Sequence, residues 1–367
     1  MSSQAETLSS HHYCSQEVFD QEREHLFHGG WFMCARGDTI APGSRRVVDV
    51  VGESIILSRT ADGILHAHAN VCRHRGARLC QPETVSSHRT IVCPYHAWSY
   101  ALDGALVGTP HLSHDDVDRD ALSLWSIALR EHEGFVFVSL AKTPPAFDSW
   151  MQTHGGEVVP LFRFGLGDLR VAFTSRTTVA ANWKIIVENY QECLHCTRVH
   201  PELVELVPAY RGGEVYERTR GDGGVTLSGG GNSFSHTGHS KLPLLPKMSE
   251  VDAHSYFGCT LFPNVFVDIT GTSAIVSTLF PISATQTVVT MEYLFAPEAI
   301  AASGFDPQPI IDFSELVGAQ DNMVCEGVQQ GVSSHAFTHG VLTDKDSLVI
   351  GFVEHYNQAM SAAPMAQ

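Results

Sequence analysis

A chain of 367 residues, 43% hydrophobic and 17% charged, can bury a real core, and at roughly 100–200 residues per domain it should form two domains, at most three. Acidic residues outnumber basic ones by 40 to 23, and the resulting net charge of −17 argues against a nucleic-acid partner. No apolar run exceeds strand length (residues 264–269 are typical), so no membrane span is expected.

The N-terminal stretch lacks the basic and apolar regions of a signal peptide, and the nine cysteines are irregularly spaced. Both features point to a cytoplasmic protein without a disulfide framework. Residues 14–33 read as a helix, with Val18, Phe19, Leu26 and Phe27 at helical spacing and Gly29-Gly30 ending it. Short strands follow at 46–51, 54–58, 65–71, 90–92 and 134–140, with Asp103-Gly104 as a hairpin signal. Pro144-Pro145 marks a boundary.

Beyond it, 171–179 reads as a strand and 182–196 as a helix. Residues 219–240 read as a Gly/Ser-rich mobile loop over a cleft. Strands are expected at 256–269, 273–281 and 285–295, and helices at 309–331 and 345–360. The reading is an α+β chain: a small all-β domain over 39–142, a helical segment over 1–38 that packs on the larger domain, and a larger domain over 143–367 with an antiparallel sheet covered by helices.

The chemistry is concentrated in two places. Cys72-x-His74 is followed, after 18 residues, by Cys93-x-x-His96. Two thiolates and two imidazoles on paired loops suit either a structural zinc or a Rieske 2Fe–2S cluster, in which two His replace two Cys on one iron. Each pair here mixes Cys with His, whereas a zinc finger pairs like with like, so the cluster is the better reading. The other thiols, Cys14, Cys34, Cys80, Cys259 and Cys325, read as small buried hydrophobes.

The second place is 182–201, where His195 and His200 stand five positions apart before Pro201. Positions i and i+5 do not share a helix face, so the helix must loosen near Thr197. Two such His call for a carboxylate if the site is to work with oxygen. Asp312, Glu315, Asp321 and Glu326 on the late helix are all available.

These motifs, in this order, resemble the catalytic α subunit of Rieske non-haem iron oxygenases. The matching parts are Arg23 and Trp31, Asn70 to Ala77, Cys93 to Trp98, Asn182 to Pro201, and Gln320 to Ser333. The resemblance implies a Rieske domain inserted in a catalytic domain with a helix-grip-like sheet. It also implies an Fe(II) held by His195, His200 and Asp321, the aspartate of Gln320-Asp321-Asn322. It gives Glu192 the role of bridging the cluster of one subunit to the iron of the next, within a homotrimer. Glu at that position, followed by Cys-x-His-Cys, is similar to the subgroup acting on choline, glycine betaine, carnitine and stachydrine. Neutralising Glu192 should then uncouple electron delivery while both metal centres stay loaded.

A quaternary ammonium is held by aromatic faces. The candidate pocket residues are Tyr190, Tyr210, Phe234, Phe262, Phe266 and Tyr293. The expected activity is O₂-dependent hydroxylation or N-demethylation of a small betaine-like amine. No dinucleotide fingerprint follows a strand, so a separate flavin- or ferredoxin-type reductase would supply the NAD(P)H electrons. An aromatic-ring hydroxylase or O-demethylase is the alternative. A pure electron carrier leaves the His195/His200 pair unexplained, and a zinc hydrolase predicts a colourless protein.

Overall fold

The computed structural model describes residues 5–82, 84–113, 116–215 and 224–361. Two compact units form. Phe27–Ser149 make one; the residues up to Leu26 together with Trp150–Pro364 make the other.

The smaller unit is all β. A four-stranded antiparallel sheet runs Leu65–Ala69, Glu53–Arg59, Ser44–Val50, Val85–Ser86 in spatial order. A three-stranded sheet is built from Thr90–Val92, Ser99–Ala101 and Leu106–Gly108. Another joins Ala128–His132, Phe135–Ser139 and Phe32–Arg36. The β-branched runs alternate toward a core that includes Val47, Ile56, Ile91, Tyr100 and Leu106.

The segment expected as one helix over 14–33 is instead divided among four elements. Ser15 is extended, caps the helix Gln16–Glu22 through its side chain and separates it from Ser10–Cys14. A π-helical turn, Arg23–His28, follows. Phe32–Arg36 is a strand whose residues are all buried against Phe135–Ser139. Apolar residues buried on both faces of a strand carry no alternation, so the sequence pattern gave no strand signal there. The pairing also puts residues 27–38 in the smaller unit, so the break falls at Leu26/Phe27 rather than at residue 38.

The larger unit holds a six-stranded antiparallel sheet. Its spatial order is Arg170–Val179, Gln286–Phe295, Ala274–Ser283, Val265–Ile269, Ser255–Leu261, Gly224–Thr226. The stretch expected as one strand over 256–269 is a hairpin, turned at Phe262-Pro263. Helices Trp183–Tyr190, Gln308–Val332 and Ser347–Ser361 complete the unit. Among the described residues, no helix is long and apolar enough to cross a membrane. The Gly-rich segment is partly outside the described residues (219–223). Its described part carries the strand Gly224–Thr226 and a loop closed on itself by Ser240 N donating to Asn232 Oδ1 and Asn232 N to the Gly238 carbonyl.

One buried network ties the chain's start to this unit. Glu22, fully buried, accepts from Trp183 Nε1 (2.8 Å), from Tyr356 Oη (2.7 Å) and from the buried Lys184 ammonium. Asn182, the N-cap of Trp183–Tyr190, accepts from Lys184 N through Oδ1 and donates through Nδ2 to the Ala284 carbonyl (2.7 Å).

Candidate metal centres

In the smaller unit, Cys72 and Cys93 open two loops of matching form. Cys72 N donates to the Ala77 carbonyl and Gly76 N to the Cys72 carbonyl; Cys93 N donates to the Trp98 carbonyl and Ala97 N to the Cys93 carbonyl. The residue four after each cysteine is left-handed: Gly76 at φ +73°, and Ala97 at φ +57°, where a Cβ makes that conformation costly. Both cysteines are buried, while His74 is exposed and His96 half-buried. The two imidazole rings meet edge to face at 4.7 Å, and His74 stacks on Trp98. Tyr100 Oη lies 3.3 Å from Cys72 Sγ and accepts from Arg73 N. Paired thiols inside and paired imidazoles at the surface fit a two-iron cluster with one iron on each pair.

In the larger unit, the helix Trp183–Tyr190 ends before the histidines. The chain turns through Gln191–Leu194, and one short helix, Cys196–Val199, separates His195 from His200. The loosening expected near Thr197 lies instead on either side of it, at that turn and at His200, which leaves helical geometry at φ −123°, ψ 64°. Cys193 and Cys196 are bridged by a disulfide across this turn, which the irregular cysteine spacing did not suggest.

His195 Nε2, His200 Nε2 and Asp321 Oδ1 converge. The Asp321 oxygen is 2.8 Å from His200 Nε2 and 3.4 Å from His195 Nε2, and the three residues form a group whose donor atoms lie within 4.8 Å of one another. The far ring nitrogens are occupied: His195 Nδ1 by Glu192 Oε1 at 2.5 Å, His200 Nδ1 by Gln320 Oε1 at 2.8 Å. Each acceptor holds the proton on Nδ1 and turns an Nε2 lone pair toward the shared point, the arrangement a metal-binding imidazole needs. Burial opposes charge on His195, but hydrogen bonds to Asp321 and Glu192 outweigh it and lift its imidazolium to about 9. Burial likewise opposes ionisation of Asp321, and the two histidines overcome it. This point favours a cation, and two His plus one carboxylate fit iron with open positions. The other late-helix carboxylates lie elsewhere: Glu315 accepts from Tyr293 Oη, Glu326 from Ala180 N, and Asp312 from Gln308 Nε2.

A cavity of about 170 Å³ adjoins the three residues. The helix Gln308–Val332 presents Ser314, Val317, Gly318 and Asp321 to it, one face at i, i+3, i+4 and i+7 spacing. Of the expected aromatic wall, Tyr190, Tyr210, Phe234 and Phe266 line it, with Tyr190 stacked on Phe266 at 4.1 Å. Phe262 and Tyr293 do not. Phe262, at the hairpin turn, packs on Trp183, His154 and Phe352, and Tyr293 continues the cavity face beyond Met291 into a cluster with Ile310 and Ile311.

Three contributors escaped the sequence reading: Tyr256, Phe313 and Asp268. Asp268 accepts from both Tyr190 Oη and Tyr256 Oη at 2.6 Å, each on Oδ1. Burial pushes its carboxyl up to about 6; the two hydroxyls pull it back and Asp321 adds to the rise. A charged residue inside an otherwise apolar strand, Val265–Ile269, was the available signal.

Residues 166–362 match the ring hydroxylating alpha subunit (catalytic domain) family, and residues 30–127 match the Rieske [2Fe-2S] domain. The chain is a Rieske non-haem iron oxygenase. The oxygenase is 30% identical to the glycine betaine monooxygenase oxygenase subunit of Chromohalobacter salexigens, over 95% of this chain and 84% of that protein. It is 28% identical to the carnitine monooxygenase oxygenase subunit of Escherichia coli K12, over 96% and 91%. The crystal structure of the quaternary ammonium Rieske monooxygenase CntA in complex with L-carnitine superposes with a TM-score of 0.75 at 25% identity, covering 98% of this chain and 96% of that one. Naphthalene 1,2-dioxygenase from Rhodococcus shares the fold at 18% identity and a TM-score of 0.75.

Proposed function

We propose that this chain is the terminal oxygenase of a cytoplasmic multicomponent system that hydroxylates or oxidatively N-demethylates a small quaternary-ammonium substrate. The observation that carries the reading is the cavity: aromatic rings of Tyr190, Tyr210, Phe234, Tyr256 and Phe266 stand beside the His195–His200–Asp321 convergence. A methylammonium has no N–H to donate, and aromatic faces attract it with about 0.5–2 kcal/mol per ring. The relatives named for glycine betaine and carnitine support the same reading.

In this proposal Cys72, His74, Cys93 and His96 hold the 2Fe–2S cluster, and His195, His200 and Asp321 hold Fe(II). When bound, these groups supply electron storage and oxygen activation. The chain's own residues do the rest. Glu192 Oε1 and Gln320 Oε1 keep the protons of His195 and His200 on Nδ1. Apolar walls, among them Ile186, Leu203, Ile275, Val289 and Met291, keep water from the reacting carbon. The aromatic rings hold the cationic head so that one methyl group faces the iron. Hydroxylation of that methyl gives a carbinolamine, which loses formaldehyde and leaves the amine one methyl shorter. In the same proposal the chain works as a homotrimer, Glu192 would link His195 toward the cluster of a neighbouring subunit, and a separate NAD(P)H reductase would feed the electrons.

The test is turnover of the iron-loaded oxygenase with a surrogate reductase, NADH and a panel of quaternary amines and aromatic acids. Formaldehyde matching a demethylated amine one to one supports the proposal. A hydroxylated aromatic acid without formaldehyde overturns it in favour of ring hydroxylation.

A further inference from the structure

Every charged side chain lining the cavity, among the described residues, is acidic or a histidine of the metal convergence: Glu192, Asp268, Asp321, His195 and His200. No Lys or Arg is among them, and the neutral polar groups are Asn189, Asn322, Ser277 and Ser314, besides the tyrosines. Glu192 and Asp321 are committed to the histidines. Asp268 is not. It stands across the cavity on the strand Val265–Ile269, and both tyrosine hydroxyls reach the same oxygen, Oδ1. Its Oδ2 receives no hydrogen bond from the described residues. The rings that fix it, Tyr190 and Tyr256, belong to the aromatic wall, and Tyr190 stacks on Phe266 while Tyr256 packs on Phe234 at 4.5 Å.

A buried carboxylate without a cationic partner is costly, and a cationic ligand removes that cost. A zwitterionic betaine would bring its own carboxylate into a pocket that already holds one without a cationic partner and that, among the described residues, offers no basic side chain to receive it. From the juxtaposition of Asp268, its two tyrosine donors and a wall whose described residues include no Lys or Arg, we infer that this oxygenase selects a small monocationic amine carrying no carboxylate, with Asp268 as the residue that sets the choice. The inference rests on the proposed function and narrows it, away from the betaine-like substrate the sequence suggested.

Isothermal titration of the iron-loaded holoenzyme tests this with choline, tetramethylammonium, glycine betaine and 3,3-dimethyl-1-butanol, the uncharged isostere of choline. Choline and tetramethylammonium should bind at least about tenfold more tightly than glycine betaine and the alcohol. In Asp268→Asn the two cations should lose about 10- to 100-fold while the alcohol is unchanged. Glycine betaine binding as tightly as choline to the wild type overturns the inference whether or not the variant folds. An Asp268→Asn protein that binds cation and alcohol in the wild-type ratio overturns it too, since a purely structural aspartate would move both alike. The outcomes separate the two claims. Formaldehyde from glycine betaine alone would leave the proposed chemistry intact and remove this inference. Selective cation binding with no amine product would remove the proposed chemistry instead.

Discussion

Glu192→Gln is the substitution whose consequences the geometry defines most sharply. The carboxylate receives three N–H groups: Oε1 takes His195 Nδ1, and Oε2 takes the backbone N–H of Leu194 and of His195. A carboxamide keeps one acceptor oxygen and turns an NH₂ toward whatever faced the other. If its oxygen stays with the backbone, the NH₂ confronts His195 Nδ1–H, and the ring loses the contact that holds its tautomer. If it stays with His195, the turn loses its acceptor. Either way an acceptor one atom beyond a metal ligand is lost or weakened, a change that costs about 10- to 100-fold in metal affinity, or about 1.4–2.7 kcal/mol. Iron(II) titration of the apo-oxygenase under anaerobic conditions should show that shift, with the visible spectrum of the cluster unchanged. If Glu192 also bridges electrons as proposed, turnover should remain low when iron is then supplied to saturation. An unchanged iron affinity would refute the argument from the hydrogen bonds, and wild-type turnover at saturating iron would refute the bridging role. The sequence alone suggested that both metals would stay bound; the bond to His195 Nδ1 is the reason to expect weakened iron.

Three further outcomes are expected. Glu22→Gln leaves the fully buried Lys184 ammonium without its counter-charge and should lower stability by about 3–5 kcal/mol, read as a fall in the unfolding midpoint; Glu22→Leu combined with Lys184→Met should recover most of that loss. His68 is buried, and burial holds its pKa down to about 4 against an ordinary 6.5, so the unfolded chain binds more protons between those values. Stability from this group is complete above pH 6.5 and drains away as pH falls toward 4, by about 3 kcal/mol in all, and thermal unfolding of the smaller unit across pH 4–7 should show a slope that His68→Asn flattens. Gly104→Ala should destabilise the same region by at least about 1 kcal/mol, since Gly104 sits at φ +89° and a Cβ there would lie 2.5 Å from the His68 ring; an unshifted midpoint would contradict it.

The two metal motifs differed in how far the sequence could carry them. Cys72, His74, Cys93 and His96 sit on two loops of one local form, so a fixed spacing is enough to reveal them. His195 and His200 were visible as a pair, but Asp321 was not visible from spacing. It comes from a helix more than 100 residues downstream, and four carboxylates on that helix were equal until the family resemblance chose among them. Asp268 was hidden by its company: four apolar neighbours make Val265–Ile269 read as core, and only the tertiary fold shows that this position opens on a cavity. Phe262 and Tyr293 failed for the converse reason. A ring at a hairpin turn and one a few residues along the cavity face look, in sequence, like any other pocket aromatic. The strand Phe32–Arg36 was not foreseen, because burial on both faces erases the two-residue alternation.

The labour inside the larger unit is divided by element type. His195, His200 and Asp321, with their partners Glu192 and Gln320, lie on or between helices. Phe266, Asp268, Ile275, Ser277, Val289 and Met291 lie on sheet strands. A strand residue lining the cavity therefore lies on a different element from the His195, His200 and Asp321 convergence. Such a layout would let a lineage drift from one substrate to another by single replacements on the sheet while the three converging residues stay as they are, and it tells a protein engineer which half of the cavity wall to randomise.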